Sequence, residues 1–139
     1  MSPALKTQIR VRSYELDSFG HVNNAVFLNY LEYGRGEFMS QRGLSFNDFQ
    51  RWKAFPYVIK VMIEYKAPAF YNDLLEISGE IIRWSRTSFT LAKKIFNQTT
   101  NKLAATAEVT LVFVNEKQRP TAIPQEFRDK FGLTEPEKK

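Results

Sequence analysis

The chain has 139 residues and a formal net charge of +5, with 43% hydrophobic and 25% charged residues, which fits one globular domain of ordinary size. It contains no cysteine, which excludes disulfides, a thiolate nucleophile and zinc or iron–sulfur sites with cysteine ligands. Its only histidine, His21, excludes metal sites that need two histidines, and its six glycines form no phosphate-binding loop. We therefore expect chemistry based on oxygen groups, one imidazole and backbone dipoles, without a metal or a cofactor.

The first half of the chain predicts one strand followed, after a loop, by a long helix. Apolar and polar residues alternate over residues 6–12, a pattern typical of a strand. Over residues 24–39 the apolar residues are spaced three and four apart, which predicts a helix, and two asparagines at its start are suited to cap it. Gly34 and Gly36 each cost the helix about 1 kcal/mol relative to alanine, so we expect either the close approach of another backbone or a surface position there.

The second half of the chain consists mainly of strands. Short helices are predicted over residues 45–52 and 125–131, and strands over residues 57–65, 74–84, 88–96 and 103–115. Consecutive strands with tight connections favour an antiparallel sheet, and a single mostly apolar helix needs a curved sheet to bury it. The prediction is an α+β class with one domain over residues 1–133, followed by a charged, disordered tail over residues 134–139.

The sequence also bears on location and partners. No uninterrupted apolar run approaches the roughly 18–20 residues of a membrane span, and the N-terminus has no apolar stretch typical of a signal peptide. We therefore expect a cytoplasmic protein without a membrane span. Because the positive charge is dispersed along the chain, we expect no nucleic-acid partner.

The loop before the long helix concentrates the unusual polar residues. It contains His21, Asp17 four residues earlier, and the pair Asn23 and Asn24. The first residues of a helix present free N–H groups and a partial positive charge, which would polarise a carbonyl oxygen bound there. Asp17 would then activate a water molecule or attack directly. In the alternative interpretation these residues only cap a turn and the helix, and the residues alone leave both interpretations open.

Four segments of the sequence resemble the hot-dog-fold acyl-CoA thioesterases, and most closely the 4-hydroxybenzoyl-CoA thioesterase-like branch. They are residues 17–25, which contain the His-Val-Asn-Asn motif, and residues 28–35, 63–73 and 86–89. The resemblance covers residues 6–116. It implies a five-stranded antiparallel sheet wrapped around one long helix. It also implies a homodimer with sheets joined edge to edge, often paired into a homotetramer, with active sites at the subunit interface.

The resemblance also implies roles for residues of the loop. The catalytic carboxylate of the family falls on Asp17, the amide that polarises the thioester lies near Asn23 and Asn24, and His21 lines the site. The predicted catalytic residues are therefore Asp17, His21 and Asn24. The predicted substrate-binding residues are Phe19, Gly20, Asn23, Ile59, Tyr65, Arg86 and Ser88.

The predicted function is hydrolysis of an acyl-CoA thioester to a free acid and coenzyme A. One alternative is a hydratase or dehydratase of the same fold acting on acyl-CoA or acyl-carrier protein. In that branch the histidine lies one residue further from the aspartate than the spacing between Asp17 and His21. A second alternative is a binding module that holds acyl-CoA without turnover. The sequence leaves open the length and type of the acyl group, the choice between coenzyme A and carrier protein, and the choice between dimer and tetramer.

Overall fold

The fold consists of five strands and three helices within residues 5–134, the part of the chain that the computed structural model describes. In chain order they are β1 (Leu5–Arg10), α1 (Asn24–Gln41), α2 (Phe46–Trp52), β2 (Phe55–Tyr65), β3 (Leu74–Trp84), β4 (Ser88–Asn97), β5 (Lys102–Val114) and α3 (Gln125–Lys130). A single 3-10 turn, Ser13–Glu15, follows β1. Each element lies within a few residues of its predicted position. The predicted disorder of the tail concerns residues 134–139, of which 135–139 lie outside the described residues.

The five strands form one antiparallel sheet with the order β1-β3-β4-β5-β2. The middle of this order follows from the connections, because β3, β4 and β5 are joined by short turns and therefore pair as neighbours, while β1 and β2 lie at the two edges. The sheet and the single long helix confirm the predicted α+β class and the hot-dog arrangement. None of the helices within residues 5–134 has the length and apolar character required to cross a membrane.

The long helix packs its apolar side onto the sheet. Its buried residues are Phe27, Tyr30, Leu31, Gly34 and Phe38. A Cβ atom at Gly34 would lie 2.7 Å from Cγ2 of Ile77 on β3, so this glycine permits the close approach of helix and sheet. The approaching group is a side chain, not the expected backbone. At Gly36 a Cβ atom would meet nothing within 4 Å, which agrees with a surface position.

Beneath this helix lies a buried lysine. Lys93 on β4 is 2% exposed, and its Nζ donates a hydrogen bond of 2.7 Å to the Leu31 carbonyl. The Phe38 ring lies 5.8 Å from the same nitrogen. Burial, together with the positive charge of Arg35, lowers the pKa of Lys93 to about 7, and Glu32 opposes this shift.

The edge strand β2 differs from its expected pattern. Successive side chains of a strand point to opposite faces, and one face is usually buried, but side chains on both faces of β2 are exposed. The exposed apolar residues are Tyr57, Val58, Ile59, Val61, Met62 and Tyr65, at 41% to 61%. A register shift in the pairing with β5, between Val58 and Lys60, interrupts the alternation. This edge is therefore both unpaired and apolar.

Candidate functional site

The loop before α1 is a compact hairpin over residues 15–23. Gly20 has a φ of +86° and closes the turn, a conformation that glycine adopts without strain. The backbone contacts within the hairpin are Asn23 N–H to the Glu15 carbonyl at 3.0 Å, the bridge between Leu16 and Val22, Asp17 N–H to the His21 carbonyl at 2.9 Å, and Gly20 N–H to the Asp17 carbonyl at 3.0 Å. Asp17 and His21 are therefore held opposite each other by the backbone.

The hairpin is fixed to the segment that follows β2. The Val22 N–H donates to the Ala69 carbonyl at 2.8 Å, and His21 forms an isolated antiparallel bridge with Phe70. Ala69 is fully buried, so this attachment lies at the edge of the core. Residues 63–73 were one of the segments that resemble the thioesterases, but the sequence did not indicate that they hold the hairpin of residues 15–23 in place.

Asp17 and His21 form the polar centre of the site. One carboxylate oxygen of Asp17 accepts the Phe19 N–H at 2.9 Å, and the other lies 3.5 Å from His21 Nδ1. The Phe19 ring stacks on the His21 ring with centroids 6.1 Å apart, and the Phe70 ring meets it edge-on at 6.3 Å. The Asp17 side chain is 25% exposed, so a substrate can reach it.

The helix begins beside this carboxylate with one open amide. Asn23 is the N-cap: its side chain accepts the Ala25 N–H at 2.8 Å and its carbonyl accepts the Val26 N–H at 2.9 Å. Within residues 5–134, no hydrogen bond engages the Asn24 N–H. The Asn24 carbonyl accepts the Tyr65 hydroxyl at 3.0 Å. The first helical amide is therefore available to a ligand.

These groups surround a pocket of about 330 Å³. Its wall includes Asp17, His21, Asn24, Phe27 and Tyr65. The structure thus brings together all three predicted catalytic residues with Tyr65.

Three further predicted residues lie beside the pocket. Phe19 and Gly20 lie in the same hairpin, and the predicted Asn23 supplies the cap of α1. Phe27 and Phe70 were not predicted. Phe27 is buried at 3% exposure and Phe70 is 44% exposed, and their aromatic character was the only signal in the sequence.

A second group of residues at this end escaped the sequence prediction. The Glu15 carboxylate, 7% exposed, accepts four hydrogen bonds: from Arg12 N–H at 2.8 Å, Arg12 Nε at 3.0 Å, an Arg12 terminal nitrogen at 2.7 Å and the Tyr30 hydroxyl at 2.7 Å. Burial alone would raise the pKa of Glu15, but these hydrogen bonds outweigh it and hold the pKa below its usual value. Burial and Glu15 together raise the pKa of Tyr30. The spacing of Arg12 and Glu15, three residues apart, is a sequence signal of an ion pair. The position of Tyr30 indicates only an apolar residue of the helix and not a partner of Glu15.

Three predicted substrate-binding residues lie away from this pocket within the chain. Ile59 lies in the middle of β2 and is 61% exposed. Arg86 lies in the connection after β3, and Ser88 is the first residue of β4. The 11 residues of β3 separate both from the loop by roughly 30 Å at the usual strand rise. Ser88 is bonded there to Ser85, with 2.8 Å between the hydroxyl oxygens. The structure does not bring Arg86 and Ser88 to Asp17 in one subunit.

A larger cavity of about 600 Å³ opens at the other end of α1. It lies between α1, α2, α3 and the sheet, and the ion pair of Glu32 and Arg35, with 2.6 Å between its charged atoms, lies at its wall. Aromatic residues of its lining include Phe38, Phe46, Phe49, Tyr57, Phe89 and Phe127. Such an apolar lining suits a hydrophobic group, and its parts are too far apart in sequence to have been predicted together.

Comparison with known proteins gives consistent relatives. A family model described as "Thioesterase-like superfamily" matches residues 11–131. The acyl-acyl carrier protein thioesterase ATL2 of Arabidopsis thaliana is 33% identical over 125 residues, which cover 90% of this chain and 66% of ATL2. The chain therefore spans about two thirds of the length of that plant relative.

Two bacterial proteins are similar over nearly their whole length. The long-chain acyl-CoA thioesterase FadM of Escherichia coli is 34% identical over 133 residues, covering 91% of this chain and 96% of FadM. The crystal structure of the probable thioesterase YbaW from Escherichia coli superposes with a TM-score of 0.78 at 32% identity, covering 90% of this chain and 94% of YbaW.

Proposed function

The chain belongs to the Thioesterase-like superfamily, and on that premise we propose that it hydrolyses acyl-CoA thioesters to a free carboxylic acid and coenzyme A. The named activity of FadM, which this chain matches along almost its full length, supports the substrate. The observation that carries the proposal is the open Asn24 amide beside the Asp17 carboxylate. The reaction uses water and groups of the chain, with no resident cofactor.

The Asn24 N–H at the start of α1 binds the thioester carbonyl oxygen. A helix N-terminus carries a partial positive charge, and a fixed N–H donor stabilises the negative charge that develops on this oxygen during attack. The Asn23 cap supports this role because Asn23 accepts hydrogen bonds from the Ala25 and Val26 amides and leaves the Asn24 amide as the free donor. Removal of one such donor typically lowers the rate by about 100-fold or more.

Asp17 supplies the second requirement, a base or a nucleophile. As a base it takes a proton from water while the water oxygen bonds to the carbonyl carbon; the carbon–sulfur bond then breaks and the thiolate of coenzyme A leaves. As a nucleophile its carboxylate oxygen bonds to the carbonyl carbon, the carbon–sulfur bond breaks and the thiolate of coenzyme A leaves; water then hydrolyses the anhydride to the free acid and restores the Asp17 carboxylate. His21 lies 3.5 Å from the carboxylate and orients it, and its own place is fixed by the bridge to Phe70.

The apolar cavity gives the acyl chain a place to lie. By helix rise, Asn24 and Glu32 are about 12 Å apart along α1, so a long chain that starts at the helix N-terminus can extend toward the cavity. Leu28 on α1 and Val61 on β2 are exposed apolar side chains. A long aliphatic chain therefore suits this molecule better than a short one.

The active form is a homodimer or a homotetramer. The unpaired edge of β2 carries six exposed apolar side chains, and an edge of this kind is a template for pairing with a second copy. Antiparallel pairing of two β2 strands would also hide these side chains from water. Light scattering should give a mass at or above that of a dimer, and a monomer at micromolar concentration would contradict this part of the proposal.

The function is tested by thiol release from a panel of acyl-CoA substrates of increasing chain length, with benzoyl-CoA as the aromatic member. We expect release of free thiol that increases with chain length. Hydration of crotonyl-CoA without thiol release would indicate the hydratase, and binding without any turnover would indicate a binding module. Acyl-carrier-protein substrates belong in the same panel, since ATL2 is named for them. The cytoplasmic location stays a prediction.

A further inference from the structure

We propose that Glu15 is a positioning residue, which Arg12 and Tyr30 hold in place so that Asp17 and the Asn24 amide keep their relative position. The inference rests on the proposed function, because it assigns a purpose to a network that the hydrolysis itself does not touch. Glu15 lies two residues before Asp17 in the hairpin. Glu15 itself takes no part in the reaction.

The Glu15 carboxylate connects three parts of the fold. Arg12 follows β1, and it reaches the carboxylate through its backbone N–H and through two guanidinium nitrogens. Tyr30, only 1% exposed, reaches it from the second turn of α1 with a hydroxyl bond of 2.7 Å. A buried carboxylate needs such partners, because an unpaired one would be strongly disfavoured in this surrounding. Arg12 and Tyr30 therefore hold the Glu15 carboxylate in this position.

The backbone of the same residue holds the helix cap. The Glu15 carbonyl accepts the Asn23 N–H at 3.0 Å, and Asn23 is the cap that leaves the Asn24 amide open. One residue thus ties the hairpin that carries Asp17 to the side of α1, through Tyr30, and to the start of α1, through Asn23. A shift of Glu15 would change the distance between carboxylate and amide, on which the proposed reaction depends.

The geometry explains why such a shift would be visible in the rate. A displacement of about 1 Å in a catalytic arrangement can lower a rate by about 100-fold. Glu15 lines neither the pocket at Asp17 nor the apolar cavity proposed for the acyl group. A loosened hairpin should therefore lower kcat and leave KM nearly unchanged.

The primary variant is Tyr30→Phe, which removes one hydroxyl and keeps the ring that packs in the core. We expect kcat for thiol release to fall about tenfold with KM changed by less than about twofold, since one of four bonds that fix Glu15 is lost. Tyr33→Phe is the matched control, because it makes the same change on the same helix at a side chain that is 42% exposed. It should behave as the wild type.

A double-mutant cycle with Asp17→Asn separates positioning from general damage. If Tyr30 acts through the placement of Asp17, then Tyr30→Phe should have almost no further effect on kcat in the Asp17→Asn background. The same tenfold loss in both backgrounds would overturn the inference, and so would full activity of Tyr30→Phe in the wild-type background. Thermal unfolding of all four proteins shows whether the fold is retained.

A second variant keeps the test decisive if Tyr30→Phe does not fold. Arg12→Lys keeps a positive charge and the backbone N–H but loses the two-pronged contact, and its side chain is 47% exposed, so folding should survive. We expect a smaller loss of kcat, again absent in the Asp17→Asn background; an unchanged kcat contradicts the inference. Failure of the proposed function looks different: Asp17→Asn would then release thiol at the wild-type rate, or the wild type would release none.

Discussion

The two ends of α1 differ in the interactions that shape their pockets. At its N-terminal end, a polar hairpin and the Glu15 network fix a small pocket of about 330 Å³ through hydrogen bonds between named atoms. At its C-terminal half, aromatic rings pack around a cavity of about 600 Å³, among them Phe127 and Phe131 with centroids 4.6 Å apart. Directional hydrogen bonds therefore fix the positions of the groups at the N-terminal end. At the other end, only the shape and the apolar character of the cavity are fixed.

This difference teaches where precision is needed. Hydrogen bonds fix direction and distance, as the chemistry at a carbonyl group requires, whereas a hydrocarbon chain needs only apolar volume. A substitution at the polar end should therefore change the rate for every substrate. A substitution at the apolar end should change the preference among substrates.

The largest effect is expected at the polar end. Asp17→Asn keeps the size of the side chain but removes its charge and its ability to accept a proton, so the rate of thiol release should fall by at least about 100-fold for all chain lengths. Steady-state kinetics with short and long acyl-CoA would measure it. Loss with one chain length only would break the distinction between the two ends.

The apolar end is tested by filling the cavity. Gly36 lies in the lining and a Cβ atom there meets nothing, so Gly36→Phe can place a ring at the cavity without a backbone clash. We expect kcat/KM for palmitoyl-CoA to fall about tenfold, with butyryl-CoA nearly unaffected, since hydrophobic pockets discriminate by factors of this size. Ser40→Phe adds the same ring to an exposed position of α1 outside the lining and serves as the control. Equal losses with both substrates would refute the role of the cavity.

Gly34, in the middle of α1, permits the close approach between the helix and the sheet. Gly34→Ala should destabilise the protein by about 1 kcal/mol net, because crowding against Ile77 exceeds the gain in helix propensity. Gly36→Ala has no such neighbour and should stabilise by up to about 1 kcal/mol. Chemical denaturation of both variants measures the difference, and equal stabilities would show that the close approach at Gly34 has no cost.

The last effect concerns Lys93, which lies under the same stretch of helix. Its pKa is about 7 in the folded chain against 10.5 as the ordinary value, so between these values the unfolded chain binds more protons and stability rises with pH. The rise is at most about 1.4 kcal/mol per pH unit. Thermal unfolding between pH 7 and 9 should show a steeper rise for the wild type than for Lys93→Met. Parallel curves would mean that Lys93 stays protonated.

The sequence was sufficient for the fold because its signals are local. The alternation in β3 and the spacing of apolar residues in α1 each follow from one repeating geometry, and the tight turns between β3, β4 and β5 dictate neighbouring strands. The pocket at Asp17 was also predictable, since Asp17, His21 and Asn24 lie within eight residues of each other. Contacts within one hairpin need no long-range information.

The remaining features depend on distant parts of the chain. Nothing in the periodicity of α1 distinguishes Tyr30, which bonds Glu15, from a purely apolar core residue. The cavity needs α2, α3 and the sheet together. The exposure of Ile59 depends on the edge position of β2, which only the completed sheet defines.

The central claim is that the thioester carbonyl is held by the first amide of α1 beside Asp17. A structure of the protein with a non-hydrolysable acyl-CoA analogue, in which a methylene replaces the thioester sulfur, tests it directly. The account predicts the carbonyl oxygen within about 3 Å of the Asn24 nitrogen, with the Asp17 carboxylate facing the carbonyl carbon. An analogue bound with its carbonyl away from the start of α1 would contradict the account.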